Sequence, residues 1–137
     1  MAGPRQVIAR AGDFQIVLMD SISYANEHDK GVFAVSGSHG GKSSGEITGQ
    51  LPVAGAIFND AGVGKDQAGV AGLAAMDRKG IPAAAVSYES ARIGDSQDTW
   101  HNGIISHVNA KGADAGLKVG MRVEDALRGW IDCRTRT

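Results

Sequence analysis

The sequence predicts an α/β fold: a three-layer sandwich in which helices cover a small, mainly parallel sheet of about four to five strands. Four short apolar runs lack the polar alternation of a half-exposed strand, and such runs are typical of strands buried on both faces of a parallel sheet. A polar segment follows each run, and these segments are expected to cross back over the sheet. The runs are residues 14–19, 32–35, 53–58 and 81–86.

The first half of the chain supplies a hairpin and two short crossovers. Residues 6–10 are expected to pair with the first apolar run, because Ala11-Gly12-Asp13 between them is a turn signal. Segments 21–30 and 43–50 have weaker patterns and are predicted as crossovers between parallel strands.

A helix is predicted over residues 68–79, where Gly80 closes it and basic residues occupy the last turn. Its internal Gly69 and Gly72 each cost roughly 1 kcal/mol of helix stability relative to alanine. Such a helix is more easily kept when its small face packs tightly on a sheet, and that packing is expected here.

Two further helices are predicted towards the C-terminus. Residues 96–108 form the first, with Ser96 or Asp98 as its N-cap. Residues 123–130 form a short amphipathic helix, and the tail 131–137 has no apolar pattern and is expected to fray. The sequence therefore predicts one α/β domain over residues 1–130.

The composition excludes several classes of protein. The chain has 137 residues and 20 glycines, about twice the usual share of roughly 7%, without the period of collagen. With 42% hydrophobic and 21% charged residues it is not a disordered segment. Its single cysteine excludes an internal disulfide, and 14 basic against 15 acidic residues indicate no nucleic-acid or membrane partner. Because its first residues lack an apolar signal-peptide core, a cytoplasmic location is predicted.

The polar residues concentrate where the four apolar runs end. In open α/β sheets, ligands bind outside the carboxyl ends of the strands, so this edge is the predicted functional site. Glycines follow the same distribution, and glycine lets the backbone approach a ligand closely. Short turns between strands and helices also need glycine when nothing binds. The glycines concerned are Gly37, Gly40, Gly41, Gly45, Gly62, Gly64 and Gly94.

The segment 36–45 contains the parts of an anion-binding loop, in Ser38, Gly40 and Gly41 with their backbone N–H groups. Its spacing does not match a Walker A loop. Within it, His39 is a candidate general acid or base, because the reference pKa of histidine is about 6.5. The alternative is a histidine packed and hydrogen-bonded at a strand end.

The segment 59–66 is the second part of the predicted site. Asp60 is a candidate to orient His39, to abstract a proton or to act as a nucleophile. Asn59 is the third catalytic candidate beside His39 and Asp60, and it is expected to donate or accept hydrogen bonds at the site. Lys65 is expected to neutralise an anionic substrate. For Asp66 the favoured interpretation is the cap of the following helix.

The segment 90–95 is the third part. Ser90 and Arg92 are predicted to contact the substrate, since the planar guanidinium of arginine suits a carboxylate or phosphate. The alternatives are that Arg92 forms a surface ion pair with Asp95 or Glu89, and that Asp95 caps the following helix.

Neither a metal nor a cofactor is predicted. On the predicted helix His101 and His107 are six residues apart, which places them on different faces, unlike a metal-binding pair four apart. Cys133 lies in the predicted tail and is a poor candidate for a nucleophile.

The order of an apolar strand, a small residue before His-Gly, a second strand, a polar turn, Gly-x-Gly and a helix resembles the caspase-like hydrolase fold, most of all its bacterial CHAT branch. The matching stretches, VFAVSGSHGG and AIFNDAGVGKDQAGVAGLAAMDRKGIPAAAVS, cover about half of the chain. The resemblance implies a Rossmann-like or caspase-like sheet, with His39 before Gly40 at the catalytic histidine. The catalytic cysteine position falls on Asn59, or on Asp60 with a shift of one residue, and neither is a thiol.

Three functions follow from these observations. The leading hypothesis is a small-molecule enzyme, a hydrolase or lyase acting on a polar or anionic metabolite by histidine–aspartate acid–base chemistry. The second is a non-catalytic nucleotide- or anion-binding module of degenerate caspase-like or flavodoxin-like fold. The third is a homo-oligomeric assembly subunit, because small domains often complete their cores through symmetric contacts.

Overall fold

A six-stranded mixed sheet forms the centre of the structure, and its strand order follows the order of the chain. This computed structural model describes residues 5–135, without the side chains at positions 66 and 135. The four central strands run parallel, and an antiparallel strand lies at each edge. From edge to edge the strands are β1 (Arg5–Ala11), β2 (Phe14–Met19), β3 (Val32–His39), β4 (Gly55–Asn59), β5 (Ala83–Val86) and β6 (Ile105–Val108).

The four apolar runs all form parallel strands, which confirms the α/β class. β2 has the predicted bounds, β3 extends four residues further to His39, and β4 and β5 each begin two residues later than predicted. The hairpin is also confirmed, because β1 pairs antiparallel with β2 and Ala11 lies opposite Phe14. The sheet is larger than the predicted four to five strands because β6 adds an edge.

β6 replaces the second half of a predicted helix. Helix α3 (Ser96–Asn102) stops at Gly103, which takes an extended conformation with φ −62° and ψ 131°. An added Cβ at Gly103 would lie 2.5 Å from the carbonyl oxygen of Thr99, so this turn requires glycine. Beyond it, Ile105 is buried and pairs with β5. The prediction of one helix over 96–108 is therefore wrong after residue 102, because sheet pairing and burial outweigh local propensity.

Helices cover both faces of the sheet. Parallel strands in sequential order are joined by right-handed crossovers, which places the connecting segments on one face. That face carries Val17, Phe58 and the helical residues Leu73 and Met76. Its helices are α1 (Lys42–Thr48), α2 (Ala71–Arg78) and the 3-10 segments Ile22–Tyr24 and Lys65–Val70. The opposite face packs against α3 and the last helix, α5 (Val123–Thr135), while the short α4 (Ala110–Asp114) follows β6.

The glycines of α1 and α2 allow these two helices to touch. A Cβ at Gly45 would lie 2.5 Å from the Cα of Gly72, and the amide of Gly72 donates to the carbonyl of Gly40 at 2.9 Å. The helix predicted over 68–79 is confirmed in its second half as α2, which ends before Gly80. Gly72 packs on α1, however, and not on the sheet as expected, whereas Gly69 lies in the preceding 3-10 segment against the carbonyl of Asp60.

Helix α5 is longer than predicted and extends into the tail that was expected to fray. It runs to Thr135, and Trp130 and Ile131 are both buried against the sheet. The ring of Phe33 meets that of Trp130 edge to face, with centroids 5.0 Å apart. The expectation of a frayed tail is wrong as far as residue 135, because one face of this segment completes the core; residues 136–137 lie outside the described part of the chain.

Candidate functional site

Asp60 lies at the centre of the edge where the parallel strands end. It follows β4 directly, and its side chain is only 7% exposed. One carboxylate oxygen, Oδ1, accepts the backbone N–H groups of Gly62 and Tyr88 at 2.8 and 3.0 Å. The other, Oδ2, accepts the hydroxyl of Ser106 at 2.7 Å. The turn that follows Asp60 and two distant segments of the chain therefore hold one buried carboxylate in a single orientation.

A β-bulge in β6 brings a histidine to this carboxylate. Ala85 pairs with His107 and Val86 with Ile105, so Ser106 is an extra residue between two paired positions. Ser106 Oγ lies 3.0 Å from Nδ1 of His107, and Nδ1 lies 4.0 Å from Asp60 Oδ2. Bulges re-aim side chains and are frequent beside active sites. Without the extra residue, neighbouring side chains on a strand would point to opposite faces.

Sequence reasoning missed both Ser106 and His107. His107 was placed on a helix with His101, whereas it lies on β6 and its side chain is 39% exposed. The available signal was Gly103 followed by the β-branched pair Ile104-Ile105, which indicates the end of a helix and the start of a strand. No local pattern indicates the bulge itself.

The turn after Asp60 has a strained backbone. Four successive residues, Ala61, Gly62, Val63 and Gly64, have positive φ angles of 53°, 76°, 64° and 74°. For a β-branched residue such as Val63 this region costs on the order of 1–3 kcal/mol. The amide of Val63 donates to the carbonyl of Asp60 at 2.7 Å, which closes the turn around the carboxylate. Strain of this kind concentrates at functional sites, where neighbouring structure holds it in place.

His39 lies at the end of β3, on the same edge of the sheet, and is exposed. Its Nδ1 accepts the backbone N–H of Gly41 at 3.2 Å. A Cβ at Gly41 would lie 2.6 Å from the imidazole ring, so glycine is needed for this contact. Within residues 5–135 no hydrogen bond or ion pair joins His39 to Asp60, the partner that sequence reasoning favoured. The nearest register partner of His39 is Asn59, across β3 and β4.

Asn59 is buried and its amide bridges two segments. Its Nδ2 donates to the carbonyl of Ala91 at 2.9 Å, and its Oδ1 accepts the N–H of Ala61 at 2.8 Å. Sequence reasoning placed Asn59 among the catalytic residues. The structure places it at the end of β4, directly before Asp60, where it ties β4 to the segment 87–95 and to the strained turn.

Ser38 and Ser90 use their hydroxyls within the fold. Ser38 Oγ accepts the N–H of Ile22 at 3.0 Å. Ser90 Oγ donates to the carbonyl of Ser87 at 2.8 Å and accepts the N–H of Ile104 at 2.9 Å. Both serines were predicted to contact substrate, and both connect neighbouring segments of the carboxyl edge.

Gly40 and Gly41 are both buried where β3 joins α1. The amide of Gly40 donates to the carbonyl of Asn59 at 3.0 Å, and Gly41 is the N-cap residue of α1, without a side-chain cap. One backbone N–H of the predicted anion-binding loop therefore bonds to β4, and the other bonds to His39.

Two cations lie in exposed positions around this edge. Lys65 begins a 3-10 segment, with Gly64 and not Asp66 at its N-cap; the side chain of Asp66 lies outside the described part of the structure. Arg92 is exposed and its backbone N–H donates to Asp98 at 2.7 Å. The side-chain bond from Asn102, the bond from this N–H and the charge of Arg92 lower the pKa of Asp98. Burial opposes that shift.

Asp95 caps α3, as one of the alternatives predicted. It is the N-cap residue and its carboxylate accepts the N–H of Asp98 at 2.9 Å. The caps considered on Ser96 and Asp98 are therefore wrong, because the helix begins one residue after Asp95.

Two clefts of the surface lie away from Asp60. One of about 350 Å³ lies beside the end of β2 and is lined by Arg5, Asp20 and Ser96 among others. A wider cleft of about 630 Å³ lies where the hairpin turn meets the start of β3, between Asp13, Phe14 and Lys30. We place the site at Asp60 because several polar groups converge on its buried carboxylate, whereas the two charged residues of the wider cleft, Asp13 and Lys30, are exposed.

Among the described residues, no group of three or more histidine, cysteine, aspartate or glutamate side chains is placed to hold a metal ion. None of the helices in residues 5–135 is long and apolar enough to cross a membrane. In comparisons with protein-family models, curated proteins and solved structures, the chain matches none.

Proposed function

We propose that the chain is a small-molecule enzyme, a hydrolase or lyase that acts on a polar or anionic metabolite by histidine–aspartate acid–base chemistry. The observation that carries the proposal is the environment of Asp60. A carboxylate that is 7% exposed accepts hydrogen bonds from its own turn and from two distant segments, and it lies 4.0 Å from an accessible imidazole. A base oriented by a third group is the general arrangement of activated catalytic sites.

The other polar groups at this edge fit substrate binding. His39 is exposed at the end of the neighbouring strand and is available for proton transfer. Lys65 and Arg92 are exposed cations that suit an anionic substrate. In this proposal Asp60 orients its neighbours, because both of its oxygens are already bonded and its burial does not suit a nucleophile.

The caspase-like layout remains part of the proposal without its cysteine chemistry. The resemblance pairs position 39 with position 59 or 60. His39 and Asn59 are register partners across β3 and β4, and the Asn59 amide is occupied by backbone partners. A histidine–aspartate mechanism fits these residues better than a thiol mechanism.

The test is a screen of the purified chain for turnover of phosphorylated and carboxylated metabolites, esters and amides. Asp60→Asn is expected to lower kcat/KM for any substrate found by about 10²- to 10⁴-fold, the usual contribution of acid–base groups. Asp13→Asn is the matched control, because Asp13 is exposed in the turn between β1 and β2. Its effect is expected to stay below roughly twofold, as for surface substitutions.

The proposal fails if an activity is found and both Asp60→Asn and His39→Ala leave it unchanged. A compound that raises the melting temperature and is not consumed on incubation indicates the binding module instead. Circular dichroism of each variant shows whether a loss of activity reflects the site or the fold.

A further inference from the structure

The hydrogen bonds around Ser106 determine which ring nitrogen of His107 carries the proton. Ser106 Oγ lies 2.7 Å from Asp60 Oδ2, 3.3 Å from the carbonyl oxygen of Ala85 and 3.0 Å from His107 Nδ1. A hydroxyl has one proton, and the carboxylate is both the nearest acceptor and a charged one. The hydroxyl oxygen can therefore only accept a hydrogen bond from His107, so Nδ1 must carry the ring proton. Neutral His107 then has an unprotonated Nε2.

The contacts of His39 select the opposite tautomer of its neutral ring. Its Nδ1 accepts the backbone N–H of Gly41 at 3.2 Å, and a backbone amide can only donate. Nδ1 of neutral His39 is therefore unprotonated and occupied, and Nε2 carries the proton. At Nε2, neutral His39 therefore offers a hydrogen-bond donor, whereas neutral His107 offers an unprotonated nitrogen that can act as a base.

We infer that His107 is the general base of this edge, and that Asp60 and Ser106 are positioning residues that hold its tautomer. The inference rests on the proposed function and names the residue that transfers the proton, a residue the sequence reasoning had set aside. This arrangement depends on the bulge in β6, because the bulge turns the side chains of Ser106 and His107 towards the same carboxylate.

The proton transfer balances within the chain and its substrate. An O–H or C–H bond of the substrate breaks, its electron pair stays on the substrate atom, and a new N–H bond forms at Nε2 of His107. The imidazolium then carries its charge 4.0 Å from Asp60 Oδ2, with Nδ1–H still donating to Ser106. Return of the proton from Nε2 to a leaving group restores the neutral ring.

Long-range ¹H–¹⁵N correlation spectra of the substrate-free, ¹⁵N-labelled protein at alkaline pH test this inference. Glutamine substitution of each histidine assigns the signals. We expect the Nδ1–H pattern for His107 and the Nε2–H pattern for His39 in the same spectrum. An Nε2–H pattern for His107 in the unsubstituted protein overturns the inference.

Asp60→Asn provides a sharper test, because the tautomer of His107 should invert. Oδ1 accepts two backbone N–H groups, so the amide NH₂ of the variant takes the position of Oδ2. It then donates to Ser106, whose own proton turns to His107 Nδ1, because Nδ1 at 3.0 Å is nearer than the carbonyl oxygen of Ala85 at 3.3 Å. The ring proton of His107 is then left on Nε2. His39 should not change, which makes it the internal control. Retention of the Nδ1–H pattern by His107 counts against the inference.

If Asp60→Asn also alters the His39 signals, Ser106→Ala decides the question. Removal of the hydroxyl should abolish the single Nδ1–H tautomer of His107, and its persistence overturns the inference. These spectra need no substrate. If they overturn the inference about His107, the proposed function still stands, because His39 can supply the proton transfer. A screen in which an activity is found and both Asp60→Asn and His39→Ala leave it unchanged refutes the proposed function, whatever the tautomers are.

Discussion

The contact between α1 and α2 depends on glycine, and Gly45→Ala is the change that tests it. The added Cβ would lie 2.5 Å from the Cα of Gly72 and 2.5 Å from its carbonyl oxygen. Carbon atoms pack at about 3.5–4.0 Å, so the helices must separate by roughly 1 Å. Both neighbours are backbone atoms, which cannot rotate away as a side chain can.

The expected magnitude combines two opposing effects. Overpacking in a core costs about 1–3 kcal/mol. Replacing glycine by alanine inside a helix stabilises the helix by roughly 0.8–1 kcal/mol. Because the clash is with backbone, the upper part of the overpacking range applies, and Gly45→Ala should lower the free energy of unfolding by about 1–2 kcal/mol. For a domain of this size that corresponds to a melting temperature lower by about 3–8 °C.

Gly129→Ala is the matched control, since it makes the same chemical change in α5 where nothing lies within 4 Å of the added Cβ. This variant should be more stable than the parent by roughly 0.5–1 kcal/mol. Urea unfolding followed by circular dichroism measures both changes, provided that the slope of each transition is unchanged. If Gly45→Ala is as stable as Gly129→Ala, the argument from close helix packing is refuted.

Two further predictions concern charged groups. Arg5→Ala should lower the free energy of unfolding by about 2–4 kcal/mol, because it leaves the buried carboxylate of Asp29 without the cation that binds it at 2.7 Å. This lies somewhat below the full cost of breaking a buried pair, since the Arg5 side chain is 24% exposed. Asp98→Asn should make the free energy of unfolding fall less steeply as the pH is lowered into the acidic range. The folded-state pKa of Asp98 is lowered, first of all by the Asn102 side chain, so its stabilisation is present above the unfolded value of about 3.9 and is lost as the pH falls through the folded one.

Each of these predictions has its own control. Arg10→Ala removes an exposed arginine from the same strand and should change stability by less than about 0.5 kcal/mol. If Arg5→Ala and Arg10→Ala lower the free energy of unfolding equally, the ion pair between Arg5 and Asp29 adds no stability of its own. For Asp98, urea midpoints measured from pH 7 to below pH 3 give the profile, and a parallel shift of the variant at every pH would contradict the linkage.

The sequence alone identified the four central strands and the edge at which polar residues gather. Runs such as Phe14–Met19 are buried on both faces wherever they pair, so their composition suffices to identify them. The hairpin before them and the helix that becomes α2 were also predictable, because turn residues and helix stops act over a few residues. Asp60 was singled out on the same local evidence.

Only the tertiary structure decided which residues meet Asp60. Ser106 lies 46 residues further along the chain, and it reaches Asp60 because residues 105–108 pair with β5 and a bulge turns two neighbouring side chains the same way. Local pattern favoured a helix there, with His107 and His101 on different faces. Strand pairing and bulge position depend on contacts between distant segments, and the burial of Ile105 outweighs local propensity. Composition therefore determined the sheet and its polar edge, while register determined the arrangement of Asp60, Ser106 and His107.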